Sequence, residues 1–295
     1  MMAMAPPETP DTRCLQRARP LLGTLVQLRL RPSPAAPCDD YWQAQAQRAM
    51  AAAFGAIAAV QQAMSAHHAD SDLACIARAA PGSCVRVSPH TVAVLRLAKY
   101  WQRASAGAFD PVHAANRLAA QGRRPAFDGL ALPTGGSLDD LQLVGSDGVR
   151  VRRPVRLDLG GIAKGYAVDC AVTVLRSAEL GDVLVNAGGD LRAAGQGAWP
   201  VQVRGAGRQP GHRLSLRSMR QLRTGALATS NGLPNNPELV PGRMRRPAPA
   251  WQVCSVSAPD CVTADVLTKW GLQAPLHAPR LQRLLRTHGA ALWRA

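Results

Sequence analysis

The chain has 295 residues, 47% of them hydrophobic and 18% charged, which provides for a sizeable core and excludes general disorder. The longest unbroken apolar run, Ala49–Val60, falls far short of the roughly 20 residues that cross a bilayer. The net charge of +16 comes from 35 Lys and Arg against 19 Asp and Glu, but it is scattered and carries no basic, aromatic-interleaved nucleic-acid motif.

Residues 1–20 read as a flexible tail and 21–295 as one domain without internal repeats. Gly23–Leu30 alternates as a strand does. Gln43–Met64 is Ala-rich and apolar on most faces, predicting a buried helix, and Thr91–Ser105 predicts a second one. Residues 119–149 read as loops around short strands. Val149–Leu159 is expected as a strand running into Gly160-Gly161 and a helix from Ile162 to Leu180. Short strands are expected at Val183–Asn186, Trp199–Arg204, Leu214–Arg217 and Trp251–Ser257, with a Pro-rich mobile loop over 233–250. Helices at Thr263–Gln273 and Pro279–Thr287 close the chain. This irregular mixture of elements points to an α+β fold.

The seven cysteines form no C-x-x-C pair and match no zinc spacing, so they read as free thiols in a reducing compartment. No basic-then-apolar leader opens the chain, and the expected location is cytoplasmic. Only Lys99, Lys164 and Lys269 are lysines, so each stands out where Arg is the default cation.

The densest chemical signal is Arg156-Leu-Asp-Leu-Gly-Gly-Ile-Ala-Lys-Gly-Tyr-Ala-Val-Asp169. A Gly-Gly turn into a helix start allows close backbone approach and attracts anions. Lys164 would sit in the first turn, where a cation is unfavourable without an anion nearby. A tight turn with Lys164 in solvent is the other reading. Neither a Walker A loop nor G-x-G-x-x-G is present. Asn186 and Asp190 flank Gly188-Gly189, either lining a polar pocket or closing an Asx turn with Asp190 on its own backbone. Thr263 reads as a helix N-cap, with Asp265 and Thr268 on one face; together these are ordinary helix-start chemistry or oxygen ligands for Mg2+. His67-His68 and Gly107-Ala-Phe-Asp-Pro111 complete the candidates.

Taken in order, Leu22-Gly23-Thr24, Met64-Ser65, Asp70–Leu73, Gly107–Pro111, Asp158–Asp169, Asn186–Asp190, Ala228-Thr229-Ser230 and Ala264-Asp265 resemble the FAD:protein FMN transferases, the ApbE family. The resemblance runs over residues 20–272. It implies an α+β fold of the tunnelling type and Mg2+-dependent transfer of FMN from FAD to a Thr or Ser hydroxyl of a target flavoprotein, with release of AMP. It further implies that Leu22, His67, Ala108, Phe109, Asp110, Asp158 and Lys164 contact FAD. Gly161, through its carbonyl, and Asp265 would hold the metal with Thr268, and Asp265 and Lys164 would be catalytic.

Four departures qualify the match. The family's Met before Gly-Thr is Leu22, and the aromatic two after Met-Ser is His67. The metal-binding Thr four after the Asp is Lys269, with Thr268 one place early. A charged lysine cannot ligate Mg2+, so either it replaces the metal's charge or Thr268 takes the ligand role. The family's His-Ile-Ile-Asp-Pro segment reads here Pro237-Glu-Leu-Val-Pro241, with Arg243 and Arg245 following. No histidine occurs between His212 and His277, which predicts slow transfer. A non-catalytic flavin binder of the same fold and a basic nucleic-acid binder are the alternatives.

Overall fold

The computed structural model describes residues 13–34, 36–120, 122, 135–204, 216–231, 253–275 and 277–294. Strands β1 (Leu15–Leu21) and β2 (Thr24–Arg31) are followed by α1 (Asp40–Met64), α2 (Asp72–Arg78), β3 (Cys84–Arg86), α3 (Pro89–Ala104) and α4 (Pro111–Ala120). Next come β4 (Leu141–Val144), β5 (Gly148–Val151), α5 (Ala163–Ser177), β6 (Asp182–Ala187), β7 (Asp190–Ala194), β8 (Trp199–Arg204) and β9 (Leu216–Leu222). The chain closes with β10 (Gly225–Asn231), β11 (Val253–Ala258), α6 (Cys261–Gln273), α7 (Pro279–Thr287) and β12 (Ala291–Arg294).

A seven-stranded sheet in the order β1-β2-β6-β7-β10-β11-β12 pairs antiparallel at every step. Smaller sheets, β3-β5-β4 and β8-β9, stand beside it. This is an α+β arrangement. In β2, Val26, Leu28 and Leu30 are fully buried while Leu25 is exposed, the period of two that fixes register when one sheet face is covered. Helix α1 buries Trp42, Ala46, Met50, Ala53, Ile57 and Val60, a stripe at helical spacing. Asp39 caps it by accepting the Trp42 N–H at 2.8 Å.

Helix α6 is different: every residue from Cys261 to Leu272 is buried. It lies among β10, β11 and α5. Its approach to α5 is permitted by Gly165, because a Cβ there would stand 2.6 Å from the Cys261 carbonyl oxygen and 3.0 Å from Asp265 Cβ. No side chain fits that gap.

Several expectations are corrected. Residues 15–20, expected in the tail, form β1, because the Leu22-Gly23 turn (φ 56° and 68°) closes a two-residue hairpin. The strand expected over Val149–Leu159 pairs only as far as Val151; Pro154 offers no ladder donor. Helix α4 was hidden in an Asp110-Pro111 start signal, and α2, β7, β10 and β12 were not expected. The N-cap of α6 is Asp260, whose carboxylate accepts the Thr263 N–H at 2.7 Å, so Thr263 is inside the helix. The 233–250 loop, with Pro237–Pro241, Arg243 and Arg245, lies outside the described residues.

The contrast between two helical glycines is testable. Gly165→Ala is expected to destabilise the fold by about 1–3 kcal/mol through overpacking. Gly55→Ala, in α1 with nothing within 4 Å of the added methyl, is expected to stabilise it by about 0.4–1 kcal/mol. Urea denaturation midpoints of the two variants against the parent chain check both signs.

Candidate active site

A cleft of about 780 Å³ runs between the end of α1, the β1–β2 turn and the start of α5, and Leu22, His67, Asp158 and Lys164 all line it. Its volume lies in the range of small-ligand sites. Leu22 is fixed by its N–H, which donates to Gln61 Oε1 of α1 at 2.5 Å. His67 follows α1, its N–H donating to Ser65 Oγ at 3.1 Å. Asp158 is tied at both ends: its N–H donates to the Pro111 carbonyl at 3.0 Å, and its Oδ1 accepts the Gly160 N–H at 2.8 Å.

Lys164 is the second residue of α5. The anion that its position calls for is supplied by the protein: Nζ lies 3.3 Å from Oδ2 of buried Asp190. The Lys164 side chain keeps 20% of its surface exposed, so it reaches the cleft while its charge is held in place. The Asx turn at Gly188-Gly189 belongs to Asn186, whose Oδ1 accepts the Gly189 N–H at 3.0 Å. Asp190 turns its carboxylate to Lys164 rather than to its own backbone.

A second, smaller pocket of about 40 Å³ is lined by Ala108, Phe109, Asp110, Asp158, Gly161 and Lys269, among others. Asp158 therefore borders both spaces. Phe109 is held by its N–H to Ser105 Oγ at 2.9 Å. Asp110 caps α4, its Oδ1 accepting the N–H groups of Val112 and His113 at 3.0 Å each. Its other oxygen accepts Gln102 Nε2 at 2.9 Å.

Behind this pocket, Asp265 and Thr268 are fully buried and Lys269 and Ser230 nearly so. Lys269 Nζ donates to Asp265 Oδ1 and to Ser230 Oγ at 3.0 Å. Ser230 Oγ is 2.8 Å from Thr268 Oγ1, which donates to the Asp265 carbonyl at 2.7 Å. The second Asp265 oxygen accepts the Gly165 N–H at 3.2 Å. A magnesium ion needs near-octahedral oxygen ligands at about 2.0–2.1 Å. Here an ammonium lies against Asp265, and Thr268 is bonded to its own helix and to Ser230. The residues present do not fit a divalent ion. Among the described residues no three His, Cys, Asp or Glu side chains cluster to hold a metal elsewhere.

The last motif residue, Asp169, clamps α5 to α6. Its oxygens accept the Cys261 N–H at 2.9 Å and the Val262 N–H at 3.0 Å, and Arg192 approaches to 2.8 Å. Burial pushes its carboxyl pKa up against the opposing pull of those N–H groups and of Arg192.

Residues 22–286 match the ApbE family. The chain belongs to that family. A FAD:protein FMN transferase from Treponema pallidum is 28% identical in an alignment 242 residues long that covers 71% of this chain and 64% of the relative. The match thus spans just under two thirds of that relative's length. The flavin transferase ApbE from Vibrio cholerae superposes with a TM-score of 0.73 at 20% identity, covering 95% of this chain and 92% of the other. The ApbE protein of Thermotoga maritima gives 0.73 at 22% identity, covering 95% and 93%. At such identities the two structures establish the fold of this ApbE member.

The geometry adds residues that the sequence reading did not single out. Ser230 carries the end of the buried cluster, Gln61 positions Leu22, Gln102 holds Asp110, and Asp169 fixes the start of α6. Ser230 lies in the matching Ala-Thr-Ser piece, and Asp169 closes the densest one. The two glutamines left no local signal, because their partners are distant in sequence.

Replacing Asp169 by Asn removes one acceptor while Arg192 loses its counter-charge. A loss of about 1–3 kcal/mol is expected, read as a lowered denaturation midpoint with native circular dichroism at low denaturant.

Proposed function

We propose that this ApbE member transfers FMN from FAD to a Thr or Ser hydroxyl of a target flavoprotein. The observation that carries the reading is the gathering of Leu22, His67, Asp158 and Lys164, from separate segments, along one cleft of ligand size. In the reaction, the acceptor oxygen forms a bond to the FMN phosphorus as the phosphoanhydride bond to AMP breaks. AMP leaves with the electron pair, and the hydroxyl proton is released to solvent.

Phosphoryl transfer of this kind rests on positioning and charge neutralisation. Lys164 supplies positive charge at the start of α5. Leu22 and His67 offer apolar and flat surfaces to the flavin ring. Ala108, Phe109 and Asp110 border the inner pocket at the pyrophosphate end, and Asp158 connects the two spaces. Magnesium, which the resemblance puts on Gly161 and Asp265 with Thr268 as the substitute for the missing Thr, has no step assigned to it here, given the ammonium at Asp265. The free state of all seven cysteines supports a reducing compartment, which we take to be the cytoplasm. No described helix is long and apolar enough to cross a membrane.

Transfer is expected to be slow. Where relatives carry the His-Ile-Ile-Asp-Pro segment, this chain has no histidine, and general acid–base assistance is typically worth about 10²–10⁴-fold. Arginine cannot replace it as a base, because it stays protonated.

Incubating the protein with FAD and a flavoprotein acceptor should give an acceptor band that fluoresces after denaturing electrophoresis, with AMP released in equal amount. FAD binding without AMP release would identify a non-catalytic flavin binder instead. Lys164→Ala is expected to weaken FAD binding by about 1–3 kcal/mol, the size of a lost charge-assisted contact. A titration by flavin fluorescence giving unchanged affinity would remove Lys164 from the site.

A further inference from the structure

A Thr or Ser hydroxyl that attacks phosphorus must lose its proton, and the group that takes it has to reach the reacting atoms directly or through one water. Among the described residues, four titratable side chains border the inner pocket: Asp110, His113, Asp158 and Lys269. Three of them are engaged by the protein. Asp110 spends one oxygen on the N–H groups of Val112 and His113 and the other on Gln102. Asp158 accepts the Gly160 N–H. The Lys269 ammonium donates to Asp265 and Ser230 and, while charged, has no lone pair to offer. The ring of His113, by contrast, has no hydrogen-bond partner among the described residues.

The other described histidines lie elsewhere. His90 is bonded to the Tyr166 hydroxyl and His288 to that of Tyr100. His67 and His68 border the outer cleft, and His277 is exposed between α6 and α7. Local geometry turns His113 toward the inner pocket. It is the third residue of α4, and helical Cα–Cβ bonds tilt toward the helix N-terminus. That end is continuous with Ala108–Pro111, which forms one wall of the pocket. The backbone of His113 is pinned by the N–H that Asp110 accepts at 3.0 Å, and the residue is half-buried.

We propose that His113 is the catalytic base of the transfer, reaching the accepting hydroxyl from the first turn of α4 at the inner pocket. The inference rests on the function proposed above and names the residue that handles its proton. The acceptor oxygen bonds to the FMN phosphorus as the phosphoanhydride bond to AMP breaks, and AMP leaves with the electron pair. An imidazole nitrogen of His113 takes the hydroxyl proton and then passes it to solvent, which returns the ring to its starting state. A neutral imidazole offers one acceptor nitrogen and one donor, so no hydrogen bond of the protein has to break for that nitrogen to act. Residues 237–241 hold no histidine. A base on α4 provides the assistance that this site has, and its loss slows an already slow reaction further.

The test follows single-turnover transfer from saturating FAD to a flavoprotein acceptor, read as AMP release and as flavin fluorescence of the acceptor band. His113→Ala and His113→Gln should each lower the rate by about 10²–10⁴-fold while FAD affinity stays within about twofold of the parent chain. Imidazole added to the buffer should enter the space vacated in His113→Ala and restore its rate by about tenfold or more. The same imidazole should leave the parent chain and His277→Ala, an exposed histidine replaced, unchanged. Unaltered rates in both His113 variants would overturn the proposal. A rate loss that imidazole does not restore would make His113 a structural residue and overturn it too. So would weaker FAD binding with a normal rate at saturation, which would make His113 a binding residue only. A parent chain that binds FAD and transfers to no acceptor would refute the function proposed above and the base with it, whereas an active parent with equally active variants refutes this assignment alone.

Discussion

Helices α5 and α6 meet backbone against backbone at Gly165 and Cys261, and the rest of the site is placed from that contact. The close approach brings the Gly165 N–H onto Asp265 and lets Asp169 reach the first N–H groups of α6. One residue before Gly165, the same helix α5 carries Lys164 to the cleft. Moving the two helices apart by the width of a methyl group would disturb the outer cation, the inner ion pair and the cap between them together. Tight packing transmits such a displacement because interiors have few voids to absorb it.

The interior of α6 combines features that are rarely combined. A helix buried on all sides is normally apolar throughout, yet this one carries Asp265, Thr268 and Lys269 within about one turn. Each is satisfied by a neighbour, and Ser230 on β10 links two of them. Breaking such a pair by removing one partner is far more damaging than replacing both with apolar groups. The pair is thus weak evidence for stability.

Much of this was legible in the chain itself. The helices α1, α3, α5 and α7 follow from apolar spacing, and β8 was readable to the residue. Motif order along the sequence identified the family segments that the fold gathers around the cleft. What escaped reading depended on tertiary partners. Strand β7 is too short and too mixed to announce itself; it is a strand because β6 and β10 pair with it on both sides. Strand β12 exists only through β11. Asp190 looked like a turn residue because its partner, Lys164, is remote in sequence. The choice between Thr268 as a ligand and Lys269 as a cation could not be made from spacing, since both lie on α6. In the fold both reach Ser230, and it is the Lys269 ammonium that lies against the Asp265 carboxylate.

The ends of the large sheet bear on behaviour at high concentration. Among the described strands, β1 and β12 are its edges, and open edges are where one chain can recruit another. Along β1 the exposed positions include Arg17, Arg19 and Pro20: two charges that repel a copy of themselves, and a residue with no N–H to offer. Strand β12 is only four residues long, too short to template much. With a net charge of +16, approaching copies also repel at a distance, an effect that salt screens. The large sheet is thereby guarded against edge-to-edge pairing at both borders, and the protein's colloidal stability is set to decline as ionic strength rises.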